Sequence, residues 1–265
     1  MTPVGALLRE WRQRRRLSQL ALASDADIST RHLSYVETGR AAPSRAMVLH
    51  LAEALEVPLR ERNTLLTAAG FAPLYRERAL DDPALQAARD TVELVLRAHE
   101  PHPALAVDRH WHLLAHNRPV ALLLDGVAPR LLAPPVNVLR LSLHPDGVAP
   151  RIVNLNAWRT HLFARLRTQV HASGDPVLAA LLDELQGYPG DDSPPGGDDG
   201  NAVAVPLQIR SPVGVLSFIS TTTVFGTPVD ITLSELALET FFPADPETAQ
   251  RLRRLGDGQS GANGA

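Results

Sequence analysis

Thr30, Arg31, Ser34 and Tyr35 are spaced along one short stretch in a way that suits reading base edges in DNA. A guanidinium can donate two hydrogen bonds to one guanine edge, and hydroxyls serve either base pair. The four residues lie in Leu17–Pro43, LSQLALASDADISTRHLSYVETGRAAP, which reads as two short helices joined by a tight turn. Ser18 is placed to cap the first, and Ser29 to cap a second that runs from Thr30 to Glu37 and ends at Gly39. Leu20, Ala23, Ile28, Leu33 and Val36 are expected to share a small core, which leaves the polar set outside. A helix-turn-helix requires this arrangement, because its second helix enters the major groove N-terminus first. Ser29 and Tyr35 complete the candidate DNA-binding set, and Gln19 and Arg40 are expected to hold the DNA backbone.

The flanking elements must position that pair. Thr2 and Pro3 open a first helix with Val4, Leu7, Leu8 and Trp11 on one stripe. Its other faces carry Arg9, Arg12 and Arg14-Arg15-Arg16, of which one or two are expected to touch phosphate. Ser44 caps a fourth helix with Met47, Val48, Leu51, Ala52 and Leu55 inward, and a fifth runs from about Leu59 to Ala69 before Gly70. Residues 1–70 are thus expected to be an all-α, five-helix domain.

The 265 residues are enough for a second domain, and 45% apolar with 21% charged residues is ordinary for a globular chain. All 26 basic residues are arginine. Up to Gly70 the net charge is +3 and beyond it −6, so a mildly basic head joins an acidic body. There is no cysteine, hence no disulfide, thiolate metal site or cysteine nucleophile. No apolar run is long enough to span a membrane and no signal-peptide core is visible, so a cytoplasmic protein is expected.

Beyond Gly70, residues 71–101 read as a connector followed by a helix from Asp82-Pro83, with Leu85, Ala88, Val92, Val95 and Leu96 on one side. That helix suits either signal transmission between domains or core packing of the second. From Ala104 the period becomes two, predicting a hairpin that turns at Asp108-Arg109 and carries Trp111 and Leu113 on its second strand. Asn117 is placed to cap a helix to Leu124, and a short helix is expected around Val138–Leu141. A long amphipathic helix follows with Leu155, Trp158, Leu162, Phe163, Leu166 and Val170, then another capped at Asp175-Pro176. Tyr188–Asn201 is expected to be a mobile surface loop. Three strands are predicted next: from Val203 to Ile209, from Val215 to Phe225, and from Val229 to about Leu233, with helix returning through Phe242. A last helix from Asp245-Pro246 is expected to reach Leu255, and residues 256–265 to form a disordered tail. Two strands, several helices and three strands satisfy a five-stranded antiparallel sheet with helices over one face, an α+β, PAS-like domain over residues 102–255 that can enclose a small molecule.

Two sets of residues carry family resemblances. Leu17-Ser18-Gln19, Ile28-Ser29, Glu37-Thr38-Gly39-Arg40 and Pro43-Ser44 resemble the Cro-type (XRE) helix-turn-helix family, with Asp27 where that family usually has glycine in the turn. Ala104–Asp108 with Trp111 and Ala115-His116-Asn117, Gly214–Phe218 through Thr221-Thr222-Thr223, Phe225–Pro228 and Phe242–Asp245 are similar to the MmyB-like ligand-binding domain. The resemblance implies a one-component transcription regulator with double-stranded operator DNA as one partner and a fatty acid or similar apolar molecule as ligand.

For that ligand, Trp111, Trp158, Phe163, Phe218 and Phe225 are the candidate apolar lining, with Asn117 and Arg140 as candidate groups for a polar head. His110, His112 and His116 invite a metal reading, but no Cys, paired carboxylate or His-Glu-x-x-His motif accompanies them, and hydrogen-bonded surface histidines are expected instead. No nucleophile elbow or phosphate loop frames the hydroxyls of Ser217–Thr223, so neither enzymatic activity nor a cofactor is expected. The competing function is a helix-turn-helix regulator whose second domain only dimerises or binds a protein partner.

One small helix-turn-helix reads few base pairs, so a homodimer on an inverted repeat is expected, with half-site centres about one helical turn or a multiple apart. Light scattering of the protein–operator complex should give two copies per site, and a single copy would contradict the expectation.

Overall fold

A computed structural model of the chain describes residues 2–190 and 204–260. The expected loop at Tyr188–Asn201 therefore lies, from residue 191 on, outside the described residues, as do the last five residues of the chain. The chain divides into two compact units. The first comprises residues up to Ala79 together with His171–Ser173 and Thr227–Ser234; the second comprises Leu80–Val170, Gly174–Gly226 and the chain from Glu235 on.

The first unit contains α1 (Val4–Arg14), α2 (Gln19–Asp25), α3 (Thr30–Glu37), α4 (Arg45–Ala54) and α5 (Leu59–Ala68). Three serines start three of them as expected. Ser18, Ser29 and Ser44 accept from the backbone N–H of Ala21, His32 and Met47 at 3.0, 3.1 and 3.2 Å. Each cap satisfies one of the amides a helix leaves unpaired at its start. Gly39 follows α3 with φ 74°, and Asp27 holds φ 46° in the turn between α2 and α3. Asparagine and aspartate tolerate that region better than most residues.

The core of this unit is Leu8, Trp11, Leu22, Ala23, Leu33, Val36, Val48, Leu51, Leu55, Leu65 and Leu66. Leu20, expected inside, is 69% exposed, and Leu22 takes the buried position on the same helix. A seven-residue helix sets its inner face by which residues meet α1 and α3, and either leucine matches a short periodic pattern. Phe71 packs against this core. The connector is then pinned by Asn63, whose carbonyl accepts from Leu74 and Tyr75 N–H at 2.9 and 3.0 Å. The segment from Val229 to about Leu233, read from sequence as a strand, instead leads into a single helical turn, α11 (Ile231–Ser234). Arg78 reaches the buried carboxylate of Asp230 at 2.6 Å, and Thr232 Oγ1 donates to the carbonyl of Arg78 at 2.5 Å.

The second unit contains α6 (Gln86–Ala98), β1 (Ala104–Val107), β2 (Leu113–His116), α7 (Arg118–Leu123), α8 (Val138–Leu143), α9 (Leu155–Ser173), α10 (Pro176–Gln186), β3 (Leu207–Ser211), β4 (Gly214–Val224), β5 (Ala237–Pro243) and α12 (Pro246–Ser260). The last three residues of α9 group with the first unit. The strands form one antiparallel sheet in the order β2-β1-β5-β4-β3. This is the expected five-stranded α+β plan, with one exchange of strands. The chain over Ala237–Pro243, read as helical through Phe242, is the central strand β5. Ala, Leu and Glu favour helix, but β5 is paired on both edges, by Leu105↔Glu239 to β1 and by Thr222↔Glu239 to β4. Pairing and burial override propensity in a central strand.

Strand residues alternate between two covered faces. Leu105, Val107, Leu207, Ile209, Leu216 and Phe218 join α7–α10 in the main core. Ala104, Ala106 and Leu238 face the other way, against Val92 and Leu96 of α6 and Leu236. The sheet therefore has helix on both faces, where cover on one had been expected. α12 extends to Ser260, five residues past the expected end at Leu255 and into the segment read as a disordered tail.

One glycine limits how closely the first unit can pack. A Cβ on Gly5 would lie 2.3 Å from the carbonyl oxygen of Val36 and 2.8 Å from that of Glu37. Gly5→Ala is thus expected to push α1 off the end of α3 and to destabilise the protein by roughly 1–3 kcal/mol, as overpacking does. Urea denaturation checks this, and an unchanged midpoint would show that the helices separate freely.

Candidate functional site

The helix-turn-helix is built on a buried ion pair. Arg12 of α1 donates through Nε and Nη2 to the two carboxylate oxygens of Glu37 at 2.7 and 3.0 Å, and Nη1 donates to the carbonyl of Leu17 at 2.8 Å. The Glu37 side chain has no exposed area. The Glu37 hydrogen bond raises the pKa of Arg12 despite the opposing cost of burial. Gln19 also donates to Glu37, at 2.7 Å. Three helices are thereby locked around one carboxylate. The Gln19 amide retains a second N–H, the only part of that side chain suited to a DNA backbone oxygen.

From that lock α3 projects the predicted set. Arg31 is exposed, donates from Nε to Tyr35 Oη at 3.0 Å and lies 5.3 Å from the Tyr35 ring centroid. Arg40, also exposed, approaches the same ring at 5.9 Å. Thr30, Ser34 and Tyr35 are half-buried along the same helix, and Ser29 uses its hydroxyl as the helix cap. The structure thus brings Arg31, Tyr35 and Arg40 together. Holding Arg31 against Tyr35 reduces the freedom lost on contact with a base edge. Among the arginines read as phosphate contacts, Arg12 is in the core. Arg15 caps the end of α4, donating to the carbonyls of Leu55 and Glu56 at 2.9 Å each, while Arg14 pairs with Glu10 at 2.9 Å.

The second unit contains a cavity of about 110 Å³ between the sheet and α7–α9. Leu105, Leu113, Leu207, Ile209 and Phe241 supply the sheet wall; Val120, Leu123, Leu139, Leu141, Trp158 and Leu162 supply the helix wall. Trp111 lies in the turn between β1 and β2 and also lines it. This turn spans Asp108–His112, longer than the expected Asp108-Arg109, and Trp111 adopts φ 67° in it. Such a conformation costs a bulky residue of the order of 1–3 kcal/mol and needs its surroundings to hold it. Trp111 Nε1 donates to Gln169 at 2.8 Å, and the Arg165 guanidinium covers its ring at 4.5 Å.

Among the described residues, the only ion pair in the cavity wall is Arg165 with Glu239. Arg165 Nη1 and Nη2 donate to the Glu239 carboxylate at 2.9 and 2.5 Å, and Nη2 also meets Thr222 Oγ1 at 2.7 Å. The Glu239 side chain is 4% exposed. Trp158 Nε1 donates to Ser142 at 2.9 Å. His161 stacks on Trp158 at 5.3 Å, and burial together with the nearby Arg165 lowers its pKa.

Of the residues proposed from sequence to meet a ligand, Trp111 and Trp158 are in the wall. Phe218 is fully buried in the surrounding core without reaching the cavity. Phe163 packs under Arg159 at 5.2 Å, and Phe225 belongs to the cluster on the α6 face of the sheet. Asn117 precedes α7 without capping it, instead bonding Ala104 N–H, Leu96 O and His102 O at 2.9, 3.1 and 2.8 Å. Arg140 pairs with Glu184 through two bonds of 2.7 Å, away from the cavity. The Glu184 bond raises the Arg140 pKa and lowers that of Glu184. Neither proposed head group is therefore available at the cavity. Arg165 and Glu239 were missed because they are far apart in sequence and each looks like an ordinary surface residue; the alternation of Leu238 and Glu239 in a strand would have been the signal.

His110 and His112 are likewise not on a strand. His110 Nε2 bonds Asp175 and His112 Nδ1 bonds Asp108, each at 2.9 Å. Asp108, His110 and His112 offer potential ligand atoms within 4.8 Å of one another. His116 is separate and bonds the carbonyl of Asn117 at 2.9 Å.

A helix-turn-helix held by a buried ion pair and a five-stranded α+β unit around an apolar cavity together define a DNA-binding regulator with a ligand-binding module. Residues 3–65 match a helix-turn-helix domain. Residues 88–255, more than half of the chain, match the MmyB-like transcription regulator ligand binding domain, and the chain belongs to that family. Both are regulator domains and neither is an enzyme family. No curated protein matches the chain. Among solved structures, an RNA-binding light-oxygen-voltage receptor is similar at 12% identity over 98% of this chain and 67% of that one, but its TM-score of 0.25 carries no argument. No helix among the described residues is long and apolar enough to cross a membrane.

If Arg31 makes a bidentate base contact, Arg31→Ala should weaken operator binding by about 1–3 kcal/mol and leave random duplex nearly unaffected. Fluorescence anisotropy on both duplexes checks this; equal losses would assign Arg31 to phosphate.

Proposed function

We propose that the chain is a one-component regulator in which the helix-turn-helix binds operator DNA and the second unit senses an apolar small molecule held in the 110 Å³ cavity. The observation that carries the proposal is the wall itself, which is aliphatic and aromatic apart from a neutralised ion pair and two serines. Burying a CH₂ group there is worth roughly 0.8 kcal/mol and needs no directional partner, so an acyl or similar hydrocarbon body suits the space. For comparison, an engineered apolar cavity of about 150 Å³ stays dry and binds benzene. The cavity as it stands suits a compact body or the end of a chain. A long acyl chain requires movement of Leu123 and Leu124, which also line an open groove of about 620 Å³ beside Arg118 and Arg151. A homodimer on an inverted repeat is part of the same proposal, since useful operator specificity needs two half-sites, and a cytoplasmic location goes with binding to operator DNA.

Regulation requires that the ligand bind one state of the protein better than another, and a tenfold preference shifts operator affinity by at most tenfold. Native mass spectrometry of freshly purified protein should show a bound apolar molecule. At least one member of a graded series of hydrocarbon alcohols and acids, added to stripped protein, should then change its operator affinity. If none binds and operator affinity stays constant, the sensor reading fails and a second unit that only dimerises or holds a protein partner takes its place.

A further inference from the structure

We infer that the Arg165 end of the cavity selects an uncharged ligand with one hydrogen-bonding oxygen, such as a short alcohol, ketone or ester, and excludes an ionised carboxylate head there. The inference rests on the apolar-ligand reading above and names the chemistry of the ligand's head. Among the described residues Arg165 is the only cationic side chain in the wall, and it is already neutralised. Glu239 takes two of its N–H groups, Thr222 shares one, and the Trp111 ring covers its face at 4.5 Å. Thr222 in turn donates to Glu239 at 2.9 Å, so the carboxylate is held by two strands and a helix.

An anionic head entering beside Arg165 would meet Glu239 in a wall that is otherwise apolar. Two carboxylates sharing one cation in such a place cannot both stay ionised without a large cost. The other cation considered for a head group, Arg140, is bonded to Glu184 outside the cavity. His161 supplies no substitute, because burial and the charge of Arg165 both disfavour its protonated form.

A neutral oxygen has a partner. Ser220 lies on the cavity face of β4, opposite Phe241 of β5, and its hydroxyl has no hydrogen-bond partner among the described residues. A hydroxyl donates and accepts, so it can serve an alcohol, a ketone or an ester equally. It sits two positions from Thr222, at the polar end of the cavity where the ion pair lies. Ser142, the other serine in the wall, already accepts from Trp158.

The test uses 1-hexanol and hexanoate with the full-length protein at pH 8, where the acid is ionised, read by calorimetry and tryptophan fluorescence. Hexanol should bind at least tenfold more tightly than hexanoate. Ser220→Ala should weaken hexanol severalfold. Glu239→Gln, which leaves Arg165 with an uncompensated charge, should strengthen hexanoate at least tenfold and move hexanol less than threefold, with circular dichroism confirming that the variant is folded. Wild-type protein that binds hexanoate as tightly as hexanol would overturn the inference, whatever the variants do. A folded Glu239→Gln protein with unchanged hexanoate affinity would also overturn it, by removing Glu239 as the selecting charge. Binding of neither probe is a different failure: it overturns the apolar-ligand reading itself.

Discussion

Each unit is organised around a buried glutamate paired with an arginine. In the first, Arg12 and Glu37 join α1 to the end of α3, and Gln19 brings in the start of α2. In the second, Arg165 of α9 and Glu239 of β5 join the longest helix to the central strand. A pair of this kind contributes little net stability against a well-packed apolar substitute, but leaving one partner alone costs several kcal/mol. What such a pair secures is geometry. Two charges with fixed hydrogen bonds define one arrangement of the elements that carry them, whereas an apolar contact tolerates sliding.

The two pairs serve different ends. Glu37 has no exposed side-chain area, and its three donors leave the adjacent face of α3 free to present Arg31 and Tyr35 outward. The capped, locked helix is then a rigid platform for the side chains it carries. Glu239, by contrast, is neutralised at the edge of a space that the packing leaves open. There the pair sets the polarity of the cavity: it introduces dipoles and hydrogen-bonding groups while cancelling net charge. The Trp111 ring, held in a strained turn and covered by Arg165, ties the same pair to the β1–β2 turn.

Sheet and helix also divide the labour in the second unit. Because successive strand residues face opposite ways, β1 contributes Leu105 to the cavity and Ala104 and Ala106 to α6. β5 does the same with Glu239 and Leu238. Displacing a strand on the cavity side therefore alters the packing of α6 on the other, through contiguous side chains of one unit. A small molecule would act on a layered core of this kind by shifting strands and not by moving isolated side chains.

The amino-acid sequence by itself determined the features that depend on near neighbours. Ser18, Ser29 and Ser44 start helices because a side-chain oxygen satisfies an amide two or three residues ahead. The spacing of Thr30, Arg31, Ser34 and Tyr35 is likewise a property of one helix, and the strand-helix-strand order implied a five-stranded sheet. Tertiary structure decided what depends on distant partners. Leu22 was buried in place of Leu20 by the helices on either side, and Ala237–Pro243 became a strand because β1 and β4 were waiting on both edges. Asn117 and Arg140 were taken from the cavity by Leu96, His102 and Glu184. Arg165 and Glu239, 74 residues apart, acquired their role only when α9 crossed β5. A charged residue's local sequence carries no record of which opposite charge will be folded against it, so the polar groups of a cavity are the last features a sequence reveals.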